Sequence, residues 1–133
     1  MTEHTAPDAD VIALAGRLFE AARTGDTAQL AAHLDAGVPV DLTNDRGDTL
    51  LMLAAYHAHA DTVTALLERG AEPDRANDRA QTPLAGAVFK GAVDVIDALL
   101  AHGADPTAGA PSALEAAQIF GKHELVARLT APR

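Results

Sequence analysis

No cysteine and no tryptophan occur in the 133 residues, and three Phe plus one Tyr give an aromatic content of only 3%. Without thiols there is no disulfide framework, no thiolate nucleophile and no thiolate metal site. With so few rings, and much of the 48% apolar content carried by alanine, a deep core of large side chains is excluded and thin, closely spaced helices are expected. Positive charge is scarce too: Lys and Arg total 10 against 19 Asp and Glu, a formal charge of -9. No basic stripe offsets a field that repels a phosphate backbone, so nucleic acid is not an expected partner. No apolar run approaches the roughly 20 residues that span a bilayer. The opening Met1-Thr2-Glu3-His4 has neither the basic start nor the apolar stretch of a secretory signal, so the expected address is cytoplasmic. Lys90 and Lys122 are the only lysines, and arginine preference with abundant alanine points to a GC-rich bacterial genome.

What is present is a globular balance, 22% charged residues against 48% apolar, in a length that suits one domain. It is also periodic. Gly37, Gly70 and Gly103 stand 33 residues apart, and the same step links Leu34, Leu67 and Leu100. Leu18, Leu51 and Leu84 keep that spacing, as do Leu30, Val63 and Ile96 with apolar residues and Ala21, Ala54 and Ala87 with alanine. A fixed period of this length is the signature of a repeat architecture, in which each unit buries its apolar flank only against its neighbours.

The units running from Asp45-Arg46-Gly47-Asp48-Thr49-Leu50 and from Gln81-Thr82-Pro83-Leu84 each continue to a Leu-Leu pair and a Gly-Ala-acid-Pro turn. They closely resemble the ankyrin repeat, whose unit combines a turn, two antiparallel helices and a projecting hairpin finger, opening on Thr-Pro-Leu-His. Thr82-Pro83-Leu84 matches that opening. Met52 and Ala85 replace its histidine, and Leu50 stands where proline is usual. Ser112-Ala113-Leu114 lies only 30 residues beyond Thr82-Pro83-Leu84, which places a three-residue deletion between Ala104 and Pro111, where a finger would form. The resemblance implies an all-α solenoid of about four helix-turn-helix repeats, short fingers and divergent terminal capping repeats. The expected organisation is a flexible lead over 1–8 and a repeat domain over 9–133, with repeats near 11–44, 45–77, 78–110 and 111–130. Helices are expected near 9–24, 27–36, 49–58, 61–69, 83–90, 93–102, 112–120 and 122–130.

Local chemistry supports these elements. Asp10 and Asp61 are expected to cap their helices, Pro83 suits a first helical turn, and Gly37, Gly70 and Gly103 suit left-handed turns after the second helices. Alanine at 21, 54 and 87 lets the first helices approach closely above a layer of leucines.

Catalytic signals are absent. His57 and His59 are two apart, so on a helix they diverge, while zinc needs three or four converging ligands. Asp94 and Asp97 belong to a solvent-facing helix rather than a desolvated cleft. No phosphate-cradling or nucleophile-elbow pattern occurs. The expectation is therefore no enzyme, no cofactor and no metal.

The resemblance implies instead a partner surface made of the finger tips and the concave ends of the first helices. Here these positions hold Arg23, Tyr56, His57, Phe89, Lys90, Ile119 and Phe120, with Arg46 and Arg79 on the Asn-Asp-Arg fingers. The expected groove is apolar and mildly basic, free of acids, since Asp35, Glu68, Asp94, Asp97 and Glu124 fall on the outer helices. Aromatic and arginine anchors are the types that carry interface energy. The expected function is a monomeric module that binds another protein. The alternative is an inhibitory or protective module that blocks an enzyme or toxin through its acidic outer surface.

Overall fold

The computed structural model describes residues 9–132, so the lead expected over 1–8 lies outside them. Eight helices follow in order: α1 (Ala9–Thr24), α2 (Thr27–Asp35), α3 (Leu50–Tyr56), α4 (Ala60–Glu68), α5 (Pro83–Lys90), α6 (Val93–Ala101), α7 (Ala113–Ile119) and α8 (His123–Thr130). They form four antiparallel pairs. The first helices α1, α3, α5 and α7 pack side by side as one row, and α2, α4 and α6 form a second row against them. This is the expected all-α solenoid, with helix ends within two residues of their expected positions.

The repeated columns make the core. Leu18, Leu51 and Leu84 are fully buried, as are Ala54, Ala87 and Ala117, with Ala21 nearly so. A fully buried leucine contributes about 1.5–3 kcal/mol, and the alanine column sets how closely neighbouring first helices pack. Leu67 and Leu100 are buried beneath, whereas Leu34 in the first pair is only half-buried, with no earlier repeat against it among the described residues.

The last three helix pairs begin on a hydroxyl cap. Thr49 Oγ1 accepts from Met52 N (3.0 Å), Thr82 Oγ1 from Ala85 N (3.2 Å) and Ser112 Oγ from Glu115 N (3.1 Å). Glu115 returns the bond to Ser112 N, closing a capping box. Pro83 occupies the first turn as expected. Asp10 and Asp61 do not cap: both lie inside the first turn, and the N-cap of α4 is His59, without a side-chain bond. The cause is the tight connection from α3, which enters α4 within two residues of its own left-handed exit and draws Asp61 into the helix. There Asp61 still favours the positive end of the helix dipole.

The second helices α2, α4 and α6 end in a shared turn. Gly70 N bonds the Leu67 carbonyl and Ala71 N the Leu66 carbonyl, both at 3.1 Å, with Gly70 at φ 91°. This pair of bonds satisfies carbonyls that the helix leaves unpaired. First helices use the same device at Gly25, Gly91 and Gly121, but the second pair has Ala58 there, at φ 64°. Neighbouring pairs are further tied by Thr27 and Thr62 hydroxyls sharing a hydrogen bond at 2.7 Å. Arg69 clasps Asp35 (2.9 Å and 3.3 Å), an exposed pair whose attraction water and salt largely screen.

The backbone at these two sites sets opposite expectations. Gly70→Ala puts a side chain into a left-handed position that has open space around it and lowers stability by about 1 kcal/mol, while Ala58→Gly raises it by a similar amount. Urea unfolding midpoints of the two variants check both signs.

Candidate partner-binding groove

Two fingers project from the helix pairs, each organised by one asparagine. Asn44 Oδ1 accepts from Arg46 N (2.9 Å) and Asp48 N (3.0 Å), and Asn77 Oδ1 accepts from Arg79 N (2.9 Å) and Gln81 N (3.0 Å). This local bonding is why Asn recurs in tight turns. The fingers are also bonded to each other, through Asp78 N to the Arg46 carbonyl (3.0 Å) and Asn77 Nδ2 to Asp48 Oδ1 (2.7 Å). The third connection is shorter and lacks the asparagine turn, and Ala110 N reaches back to the Ala80 carbonyl at 3.0 Å. Two full fingers and one truncated one follow from the three-residue deletion.

Between fingers and helix ends lies a cleft of about 480 Å³ that brings together Arg23, Arg46, Tyr56, His57 and Arg79. Its wall is not free of acids, as the sequence had suggested, because Asp45, Asp48 and Asp78 line it too. The fingers that supply the arginines carry these carboxylates beside them, and folding brings that wall over the helix ends. Glu20 also reaches Arg23 at 3.1 Å.

Next to this cleft the aromatic side chains form a ladder. Tyr56 and Phe89 stack with centroids 6.2 Å apart and planes 9° from parallel, and Phe120 meets Phe89 edge-on at 5.9 Å. These separations suit favourable ring pairs. Phe89 is 54% exposed, Phe120 52% and Ile119 71%, so three apolar side chains face outward rather than filling gaps between repeats. Lys90 Nζ stands 4.6 Å from the Tyr56 centroid and Lys122 Nζ 5.9 Å from that of Phe120. Beneath the ladder is an apolar depression of about 190 Å³ whose walls include Met52, Tyr56, Phe89, Pro111 and Phe120.

Two features of this region gave no sequence signal. His59 Nε2 donates to the Arg23 carbonyl at 2.7 Å, and Lys122 Nζ donates to the Val88 carbonyl at 3.0 Å. Each serves a last-turn carbonyl of the preceding first helix, an orphan acceptor at the negative end of the dipole. The other is the depression's floor. Leu53 occupies one repeat position, but Gly86 and Ala116 replace it in the next two, and the missing side chains leave the hollow.

His57 is exposed and edge-on to Tyr56 at 5.4 Å. Its pKa is lowered from 6.5, first by partial burial and then by the charges of His59, Lys90 and Arg23. Asp97 is bonded to Arg128 at 2.7 Å on the outer row, as Asp35 is to Arg69. Among the described residues, no three His, Cys, Asp or Glu side chains gather in a way that could hold a metal ion, and no helix is long and apolar enough to cross a membrane.

Stacked helix pairs with linked fingers and an open cleft define a repeat solenoid, a class of scaffold for macromolecular recognition. Residues 18–110 match a family model of ankyrin repeats in three copies. The chain belongs to the ankyrin repeat family, whose members are generally protein–protein interaction modules and typically non-catalytic. It is 45% identical over 65 residues to an ankyrin repeat protein of Pseudomonas aeruginosa. That segment is 47% of this chain and 38% of the relative, so the chain spans well under half the length of the relative it matches.

Because the unfolded chain binds a proton at His57 more readily than the folded chain, His57 opposes folding as pH falls below its ordinary value of 6.5. Lys90→Gln removes one of the charges responsible, so the His57 ring titrates at higher pH in that variant. NMR titration of the imidazole resonances measures the shift.

Proposed function

We propose that this chain binds a protein partner along the cleft and aromatic ladder, acting as a cytoplasmic monomer without catalysis. The observation that carries this reading is the ladder itself. Tyr56, Phe89 and Phe120 come from three successive repeats, yet the rings meet one another with Phe89 and Phe120 more than half exposed. Leaving such rings in water forgoes burial energy that a partner's surface could recover. Arg23, His57 and Lys90 border the rings, Ile119 extends the apolar strip, and Arg46 and Arg79 supply polar contacts from the fingers. Helices and bonded fingers hold these groups in place beforehand, so little ordering entropy is lost on association.

The acidic outer surface supports the alternative, blockade of an enzyme or toxin, less well. Asp35 and Asp97 are already paired with Arg69 and Arg128, which reduces the charge available to imitate a substrate.

Tyr56→Ala combined with Phe89→Ala is expected to abolish capture of the native partner while changing stability by no more than about 2 kcal/mol. Affinity purification with each form, beside thermal unfolding of both, checks this. Equal capture by the variant, or loss of capture only where the fold is also lost, defeats the groove assignment.

A further inference from the structure

The depression under the ladder and the two lysines above it narrow the class of partner, and this step rests on the groove reading just given. At about 190 Å³ the hollow is smaller than the roughly 300–1,000 Å³ of small-molecule and cofactor sites. It suits one protein side chain. Apart from the amide of Gln81 at its edge, its walls are rings, methyl groups, a proline and a thioether, so that side chain is a large apolar one.

The floor is a glycine inside a helix. Gly86 lies in the middle of α5, where glycine costs about 1 kcal/mol relative to alanine, and a Cβ placed there would come within 3.3 Å of Met52 Cε and 3.5 Å of Tyr56 Cδ1. Met52 Cε is the tip of a flexible side chain, so the fold can absorb that methyl group, but the hollow would then be shallower.

Both of the chain's lysines stand over the rings that line the hollow. Among the described residues neither forms an ion pair. The groove's finger carboxylates, Asp45, Asp48 and Asp78, line the adjoining cleft rather than the hollow. Glu115, beside Ala116 of the wall, already accepts from Ser112 N, and the two ammonium groups give the ring faces a local positive charge in a chain of net charge -9, with more distant exposed charges screened over about 8 Å at physiological ionic strength. Buried or rim carboxylates opposite fixed cations add specificity as well as affinity.

We propose that the hollow seats one aliphatic or aromatic side chain of a partner segment whose flanking residues are acidic, with the carboxylates facing Lys90 and Lys122. A random-peptide phage library selected on the full chain tests this, followed by fluorescence polarisation of the selected peptides. The expected winners combine one large apolar residue with nearby Asp or Glu. Exchanging those acids for Asn or Gln weakens binding by about tenfold, the same exchange has a smaller effect in the Lys90→Gln variant, and it has little effect once Lys122→Gln is added. Gly86→Ala loses binding by a similar factor without a lower melting temperature, which separates a filled hollow from a damaged fold.

Selected peptides that are neutral or basic, insensitive to Lys90→Gln but lost with Phe89→Ala, overturn the acidic class and leave the groove assignment standing. Selection of no peptide, or of peptides indifferent to Phe89→Ala, overturns both. Concentration-dependent dimers in sedimentation that vanish with Phe89→Ala would give the hollow to a second copy of the chain and likewise overturn the proposal.

Discussion

Close approach of neighbouring first helices is the constraint on which everything else in this molecule rests. Ala21, Ala54, Ala87 and Ala117 sit at nearly zero exposure where the row packs, and a larger side chain at any of them would separate two repeats. Their small size fixes the spacing of the row. That spacing brings His59 to the Arg23 carbonyl, Lys122 to the Val88 carbonyl and the second finger to the first. The same spacing lets Tyr56, Phe89 and Phe120 touch. The groove is thus a by-product of core packing, and its rigidity is the rigidity of the alanine seam.

Helix termini show how the solenoid meets its polar obligations without large side chains. Hydroxyls at Thr49, Thr82 and Ser112 are almost wholly buried yet bonded, so they lower no stability by going unpaired. At the other ends, left-handed turns return the chain within a couple of residues and satisfy the last carbonyls. Connections this short leave little loop between paired helices, and the surface available for recognition is concentrated in fingers and helix ends.

Much of the fold was legible because it is written as a period. Residues spaced by 33, and the shift to 30 at Ser112, located the pairs and the shortened third connection. Capping was misread at Asp61 because a first-turn acid and a capping acid look alike until the exit of the preceding helix is known, and at Asp10 because α1 already takes in Ala9 before it. The candidate site was legible in its residue types and positions, since Tyr56, His57, Phe89 and Lys90 occupy repeat positions at helix ends. Three aspects were not. The acids of the fingers fold onto the cleft, Phe120 meets Phe89 although Ile119 holds the equivalent repeat position, and the hollow arises from atoms that Gly86 and Ala116 do not have. Such features depend on how repeats face one another, which spacing alone does not encode.

Among the described residues, the last helix pair has a neighbour on one side only. Leu114 and Val126 are half-buried where their counterparts in earlier repeats are covered, and Thr130 takes the place of the inner leucine. Its ties to the preceding pair include the Arg128–Asp97 bridge and the Lys122 bond to Val88. Among the described residues the pair is held through one interface, that with the pair before it. The ladder's outermost ring would leave with that pair, so tension or a competitor that strips it would also loosen the grip on whatever the groove holds.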